Sequence, residues 1–341
     1  MQISNKARQI TASMTLEIDA KAKKMKSSGL DVVGFGAGEP DFNTPDFIIE
    51  AAKCALDKGL TKYTPVSGIT ELKEAICYKL KRDNGLEYNL NQIIVSNGAK
   101  HSLFNIFQAI LNPGDEVIIP SPYWLSYPEM VKMADGIPIF LHTDEETNFR
   151  IYKDQLEKLI SSKTKAIILN SPNNPTGCIY DKEQLMQIAN IAVKHGILVI
   201  SDEIYEDLIY GGKKHISIAS LGKDIKDLTI VVNGMSKSYA MTGWRIGYAA
   251  GNADIIKAMS NIQSHSTSNP NSIAQYASVV GLNASKDGLY EKVKEFDKRR
   301  KHTYERINNI PGLSCKMPEG AFYVMMNIVW QTSYSRFTFI Q

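Results

Sequence analysis

Short apolar runs alternate along the middle of the chain with longer stretches whose apolar positions recur every three or four residues. The runs at 92–96, 116–120, 165–170, 197–202 and 228–233 are apolar on both faces. A strand of that kind has to be covered on both sides, as in a buried parallel sheet. Helical spacing appears at 101–111, 127–133 and 182–195, with a looser stretch at 215–221. Helices in those places are crossovers between parallel strands, so the pattern predicts a doubly wound α/β sheet. Ligands of such sheets sit beyond the carboxyl ends of the strands, and chemistry is expected in the residues that follow each run.

Those residues are specific. Asn97-Gly98-Ala99-Lys100 opens a helix after the first run, and Ser121-Pro122-Tyr123-Trp124 follows the second. Ser171-Pro172-Asn173-Asn174-Pro175-Thr176-Gly177 follows the third, and the fourth ends in Asp202-Glu203-Ile204-Tyr205. The fifth leads through Ser236-Lys237 to Met241-Thr242-Gly243-Trp244-Arg245-Ile246-Gly247-Tyr248. One rim thus receives a phosphate-type turn, an aromatic, an amide, a carboxylate and a lysine. The ends of the chain behave differently. Residues 287–308 form a long charged helical pattern, and 1–44 with 283–341 are expected to build a smaller domain beside a large one at 45–282.

A chain of 341 residues with 43% hydrophobic and 22% charged residues is ordinary globular composition, which excludes disordered and fibrous classes. The formal net charge is +3, and no basic run is longer than Lys298-Arg299-Arg300-Lys301, expected to be a solvated helix face. No electrostatic footprint for nucleic acid is present. The apolar stretches, such as 191–200, fall well short of a membrane span, and the polar start does not read as a secretory signal. A cytoplasmic location is expected. Cys54, Cys77, Cys178 and Cys315 are far apart without metal-ligand spacing, so free thiols and no metal site are expected.

Taken together, the ordered runs 171–177, 201–205 and 236–248, with Gly36-Ala37-Gly38-Glu39-Pro40-Asp41-Phe42 near the start and Gly320-Ala321-Phe322-Tyr323-Val324 near the end, resemble the class I, fold-type I pyridoxal-phosphate aminotransferases. The similarity is greatest to the short-sequence bacterial aspartate aminotransferases and covers residues 1 to about 327. It implies a mostly parallel seven-stranded sheet with a smaller α/β domain from both chain ends. It also implies pyridoxal 5′-phosphate as cofactor, a homodimer, and transfer of an amino group from an L-amino acid, with aspartate expected, to a 2-oxo acid, with 2-oxoglutarate expected. In this resemblance Lys237 forms the Schiff base with the cofactor and moves the substrate proton, chemistry open to an activated amine. Asp202 pairs with the pyridine nitrogen, while Tyr205 and Asn174 hydrogen-bond the phenolic oxygen. Gly98, Ala99 and Lys100 at a helix start, with Ser236 and Arg245, take the phosphate. Trp124 stacks on the ring, and Tyr63 reaches the phosphate of the neighbouring subunit. Gly38, Trp124, Asn174 and Lys100 are the expected substrate contacts, Lys100 at the distal carboxylate. Away from these motifs, a lysine is ordinarily a solvated charge and a tryptophan ordinarily core.

The resemblance stops near residue 327. Family members continue beyond that point and there carry the arginine that binds the substrate α-carboxylate. The run 328–341 does not resemble the family, and Arg336 stands too early to be that arginine. The small domain is therefore expected to be C-terminally truncated, with every cofactor residue retained within 63–245. The remaining alternatives are an aromatic or other aminotransferase, a β-lyase on the same fold, or a cofactor-binding chain with little activity.

Overall fold

The apolar runs become strands of one sheet in the computed structural model, which describes residues 2–36 and 38–328. The helices are α1 (Asn5–Gln9), α2 (Met14–Ser27), α3 (Asp46–Asp57), α4 (Thr70–Asn84), α5 (Ala99–Ile110), α6 (Ser126–Met133), α7 (Lys153–Leu159), α8 (Lys182–His195), α9 (Lys223–Leu228), α10 (Ala253–Ser266), α11 (Ser272–Asn283) and α12 (Asp287–Asn308). The strands are β1 (Ile93–Ser96), β2 (Glu116–Ser121), β3 (Ile137–His142), β4 (Thr164–Asn170), β5 (Leu198–Asp202), β6 (Thr229–Gly234), β7 (Gly247–Ala250), β8 (Leu313–Cys315) and β9 (Met326–Ile328). Seven strands lie in the order β1-β7-β6-β5-β4-β2-β3, and β8 pairs with β9 separately. The bonds from β3 through β2, β4 and β5 to β6 are parallel, whereas β7 runs antiparallel to both β6 and β1.

Helix ends follow local chemistry. α8 covers the expected span because Asp181 and Gln184 form a reciprocal capping box at its start and Gly196, at φ 63°, ends it in the left-handed conformation. The pleat then distributes the core. Ile168 of β4 packs with Leu103, Phe107 and Val131 from α5 and α6, while its neighbour Ile167 packs with Leu185 and Ile188 of α8 on the other face. A third cluster joins Ile48, Leu72 and Ile76 of α3 and α4 to Val95 and Tyr248. Each fully buried aliphatic side chain contributes about 1.5–3 kcal/mol.

Two strands of the seven-stranded sheet escaped the sequence pattern for physical reasons. β3 is an edge strand with Ile137 and Phe140 partly exposed, and Pro138 is tolerated there because an edge has a free hydrogen-bonding side. β7 reads Gly-Tyr-Ala-Ala, small where a strand is usually β-branched. The smallness is required: a Cβ on Gly247 would lie 2.1 Å from the Ala99 nitrogen, so only glycine lets the α5 N-terminus approach the sheet. Two expectations need correction. The stretch 215–221 is not a crossover helix; only Ile218–Leu221 turns, as a short 3₁₀ segment. The basic cluster 298–301 is not wholly a solvated face either, because Arg299 and Arg300 turn toward the cleft described below and pair with Asp41 and Asp297. The four cysteines are free thiols.

Behind the end of β5 lies a buried ionic network. Glu203 accepts from Ser201 Oγ (2.8 Å) and Ser217 Oγ (2.6 Å) and pairs with His215 Nε2 (2.9 Å). Glu206 pairs with Lys79 and accepts from Asn84 Nδ2 (2.8 Å). Burial alone would raise the Glu206 carboxyl, but the Lys79 ammonium holds it below the usual range. Glu203, Glu206 and His215 place three ligand-type atoms within 4.8 Å of one another, yet Lys79 already supplies the positive charge at Glu206. A buried pair robbed of one partner leaves an uncompensated charge, a loss of about 3–5 kcal/mol. Lys79→Met is therefore expected to lower the urea-unfolding free energy by about that amount, and Lys79→Met with Glu206→Leu to recover most of it. A single variant as stable as the parent protein would contradict this account.

Candidate active site

The carboxyl ends of β2, β4, β5 and β6 open into a cleft of about 870 Å³. The topology makes this rim: parallel strands all end on one side, and the segments that leave them converge there. Ala99, Lys100, Trp124, Asn174, Asp202, Tyr205, Ser236, Lys237, Arg245 and Gly38 all line it. Gly98 does not. It stands one layer behind, at φ 90°, and a Cβ there would lie 2.2 Å from Arg245 Nη2, so its role is to make room for the guanidinium. Tyr63 lies outside the cleft and is 91% exposed. Arg336 belongs to 329–341, outside the described residues.

The last residue of β5 carries the buried carboxylate. Asp202 Oδ2 accepts from Tyr127 Oη (2.7 Å), and Oδ1 accepts from the Ile204 N–H (3.3 Å). Burial pushes its pKa up to about 6 against the pull of those donors, which leaves it mainly anionic at neutral pH. Asn170 at the end of β4 bridges to the same place: its Nδ2 donates to the Asp202 carbonyl (3.0 Å) and its Oδ1 accepts from the Asn174 N–H (2.8 Å). The Asn174 side chain lies against the Tyr205 hydroxyl.

Lys237 follows β6. Its Nζ donates to the Gly38 carbonyl (2.5 Å) and lies 5.7 Å and 5.6 Å from the ring centres of Tyr205 and Phe322. Burial lowers its pKa to about 8; Arg245 and Lys100 add to the fall, and Glu39 and Asp202 oppose it. Desolvation penalises the ammonium and favours the free amine. Arg245 sits at φ 59°, an uncommon conformation for a non-glycine residue, with Nη1 donating to the Thr242 carbonyl (2.9 Å). Lys100 Nζ lies 4.8 Å from the Trp124 ring centre, and partial burial together with Arg245 lowers its pKa. The other cations of the cleft are neutralised: Lys23 by Asp19, Arg299 by Asp41, Arg300 by Asp297. Among the described residues Lys100, Lys237 and Arg245 have no carboxylate partner in ion-pair range. Three uncompensated cations beside the N-terminus of α5, whose first N–H groups lack intrahelical acceptors, make an anion site.

Sequence reasoning missed two residues here. Tyr127, which holds Asp202, stands three positions after Trp124 at the start of α6, and its ring meets the Trp124 ring edge-on at 5.3 Å. That spacing was the available signal. Tyr323 places its hydroxyl 2.7 Å from that of Tyr205, and only its membership of the run 320–324 marked it.

The family "Aminotransferase class I and II" matches residues 30–331. The aspartate aminotransferase of Bacillus sp. (strain YM-2) is 53% identical over 326 residues, spanning 96% of this chain and 83% of that protein. The crystal structure of the aspartate aminotransferase from Rhizobium meliloti superposes with a TM-score of 0.93 at 44% identity, covering 96% of this chain and 82% of that one. The Thermus thermophilus aspartate aminotransferase with maleate gives 0.92 at 44% identity, covering 96% and 85%. The chain belongs to the class I and II aminotransferases. These are pyridoxal-phosphate-dependent enzymes, and the expected fold-type I architecture is the one observed.

The residues of this aminotransferase fit that cofactor. An anion cradle whose cations have no carboxylate partner suits a phosphate, a buried carboxylate suits a protonated ring nitrogen, and a lysine with a lowered pKa suits an aldehyde. No helix among the described residues is long and apolar enough to cross a membrane. An amine with a pKa of about 8 is roughly one-tenth neutral at pH 7, against less than one part in a thousand for an ordinary lysine. The rate at which cofactor-free protein combines with pyridoxal phosphate is therefore expected to rise with pH up to about 8 and then flatten. A rise continuing at the same slope through pH 10, followed by stopped-flow absorbance, would show that Lys237 titrates as an ordinary lysine.

Proposed function

We propose that this aminotransferase takes an amino group from aspartate and passes it to 2-oxoglutarate. The observation that carries the reading is the charge pattern of the cleft: Lys100 in the first turn of α5 and Arg245 beside Gly98 just before it stand without carboxylate partners, while every other arginine of the cleft is paired. Arg245 and Ser236, with the Ala99 N–H, are assigned to the cofactor phosphate. That leaves Lys100, lying over Trp124, for the distal carboxylate of a dicarboxylic substrate. The Thermus thermophilus relative was solved with maleate, also a dicarboxylate, which supports the assignment.

When bound, pyridoxal phosphate supplies an electrophilic carbon and a ring that takes up the electrons of the substrate Cα–H bond. The protein supplies the rest. Asp202, held by Tyr127 and by the Ile204 N–H, keeps a negative charge at the ring nitrogen. Tyr205 and Asn174 donate toward the phenolic oxygen, and Trp124 covers the ring. Gly38 leaves space at the substrate and presents its carbonyl to Lys237 Nζ. Lys237 anchors the cofactor at rest and, once displaced by the incoming amino acid, takes the Cα proton on Nζ. An amine poised near neutrality is suited to both holding and releasing that proton.

The protein is proposed to act as a cytoplasmic homodimer with a large domain at 45–282 and a small domain from the two ends. All three sheet cores draw on residues 48–282 only, which supports the division. Support for the dimer comes from α2, which buries none of its residues and leaves Met14 and Leu16 exposed, with Val33, Phe35 and Tyr63 also bare. Tyr63 would then reach the neighbouring subunit's phosphate.

Lys237→Ala is expected to abolish turnover while the protein still binds the cofactor non-covalently; turnover like that of the parent protein would overturn the assignment. Lys100→Met removes one charge-assisted hydrogen bond, about 2 kcal/mol, and is expected to lower kcat/KM for aspartate about thirtyfold while sparing phenylalanine. An equal fall for both amino acids in a coupled assay would remove Lys100 from the substrate carboxylate.

A further inference from the structure

Residues 318–321 are fastened to two turns that carry the site. The Glu319 and Gly320 N–H groups donate to the Gly177 carbonyl (2.9 and 2.8 Å), and the Ala321 N–H donates to the Leu208 carbonyl (2.8 Å). The Tyr210 N–H returns a bond to the Glu319 carbonyl (3.0 Å). The Glu319 carboxylate accepts from Arg150 Nη2 (3.0 Å), Lys213 and the Ile179 N–H (3.3 Å). These bonds tie the segment to the turns after β4 and β5, so the two aromatic residues that follow enter the cleft at a defined place. Tyr323 arrives with its hydroxyl 2.7 Å from the Tyr205 hydroxyl, the two rings edge-on at 5.7 Å. Room for that hydroxyl exists only because residue 38 is glycine: a Cβ there would lie 2.3 Å from the Tyr323 oxygen.

A hydroxyl has one proton to give and two lone pairs to fill. If Tyr205 gives its proton to the phenolic oxygen of the cofactor, the bond between the two tyrosines can run in one direction only, from Tyr323 O–H to the Tyr205 oxygen. A donor that itself accepts a hydrogen bond is polarised and donates more strongly. We propose that Tyr323 is a positioning residue for Tyr205: its hydroxyl donates into the Tyr205 oxygen and thereby commits the Tyr205 proton to the cofactor's phenolic oxygen. The inference rests on the placement of Tyr205 given above. A stronger donor at that oxygen stabilises its negative charge and lowers the proton affinity of the nitrogen that joins Lys237 to the cofactor.

Tyr323→Phe keeps the ring and its packing and removes only the hydroxyl. The readout is the pH midpoint of the visible absorbance of the Lys237-bound cofactor, recorded without substrate, with thermal unfolding of the cofactor-free protein as the check on folding. Tyr323→Phe is expected to raise the midpoint by roughly 0.2–0.5 pH unit, less than Tyr205→Phe does, and to add nothing further when combined with Tyr205→Phe. A Tyr323→Phe midpoint equal to that of the parent protein, with Tyr205→Phe still shifted, overturns the inference and leaves the placement of Tyr205 standing. A midpoint unmoved in both variants removes Tyr205 from the phenolic oxygen and the inference with it.

Discussion

The site depends on the alternation of side chains through residues 202–206, where β5 ends and its turn begins. Asp202 and Tyr205 point into the cleft, while Glu203 and Glu206 go to the buried network formed with His215, Ser201, Ser217, Lys79 and Asn84. Buried ion pairs are a poor source of stability compared with apolar packing of the same volume. Their value here is directional: a carboxylate with fixed partners on α4 and on the segment 215–217 resists rotation of the turn that carries it. The Glu206 N–H to Glu203 carbonyl bond (2.9 Å) and the Glu203 N–H to Val232 carbonyl bond (2.9 Å) close the same turn from the backbone. The buried Asp202 carboxylate and the Tyr205 hydroxyl, three residues apart in the cleft, are thus held by the residues between and beside them.

The electrostatics of the cleft follow from that anchoring. Asp202 is kept dry enough for its pKa to rise to about 6, yet its two donors keep it mainly charged at neutral pH. Lys237 is dry enough to fall to about 8. Opposite groups are thus moved toward neutrality by the same desolvation, which is how one pocket can hold both a proton acceptor and a stable counter-charge. The unpaired cations at Lys100 and Arg245 complete the arrangement, and they are tolerable only beside water or a bound anion. Close approach of backbone makes this geometry possible: glycine at 98 admits the Arg245 guanidinium, and glycine at 247 admits the start of α5.

Much of the architecture was readable from the chain. Five runs of apolar residues became β1, β2, β4, β5 and β6, and 182–195 became α8 with its capping box and terminal glycine. Most of the residues expected at the site do line one cleft, because they occur in short runs at strand ends, where the topology leaves little freedom of position. β3 and β7 were unreadable because edge exposure in one and small residues in the other removed the usual pattern. The stretch 215–221 misled because its apolar residues serve a buried turn around His215, a packing demand with no helical period of its own.

The amino-acid sequence by itself determined the doubly wound sheet, the rim where its strands end, and the lysine, carboxylate and tyrosine that line the cleft there, because periodicity and strand-end motifs are local properties. Only the tertiary structure decided which charges are paired and which are free: Arg299 meets Asp41, whereas Lys100 lies over Trp124 with no carboxylate partner among the described residues. It likewise decided that Tyr127 holds Asp202 across 75 positions and that Tyr323 meets Tyr205 across 118. Contacts of that separation depend on how the chain folds back on itself, and no local pattern encodes them.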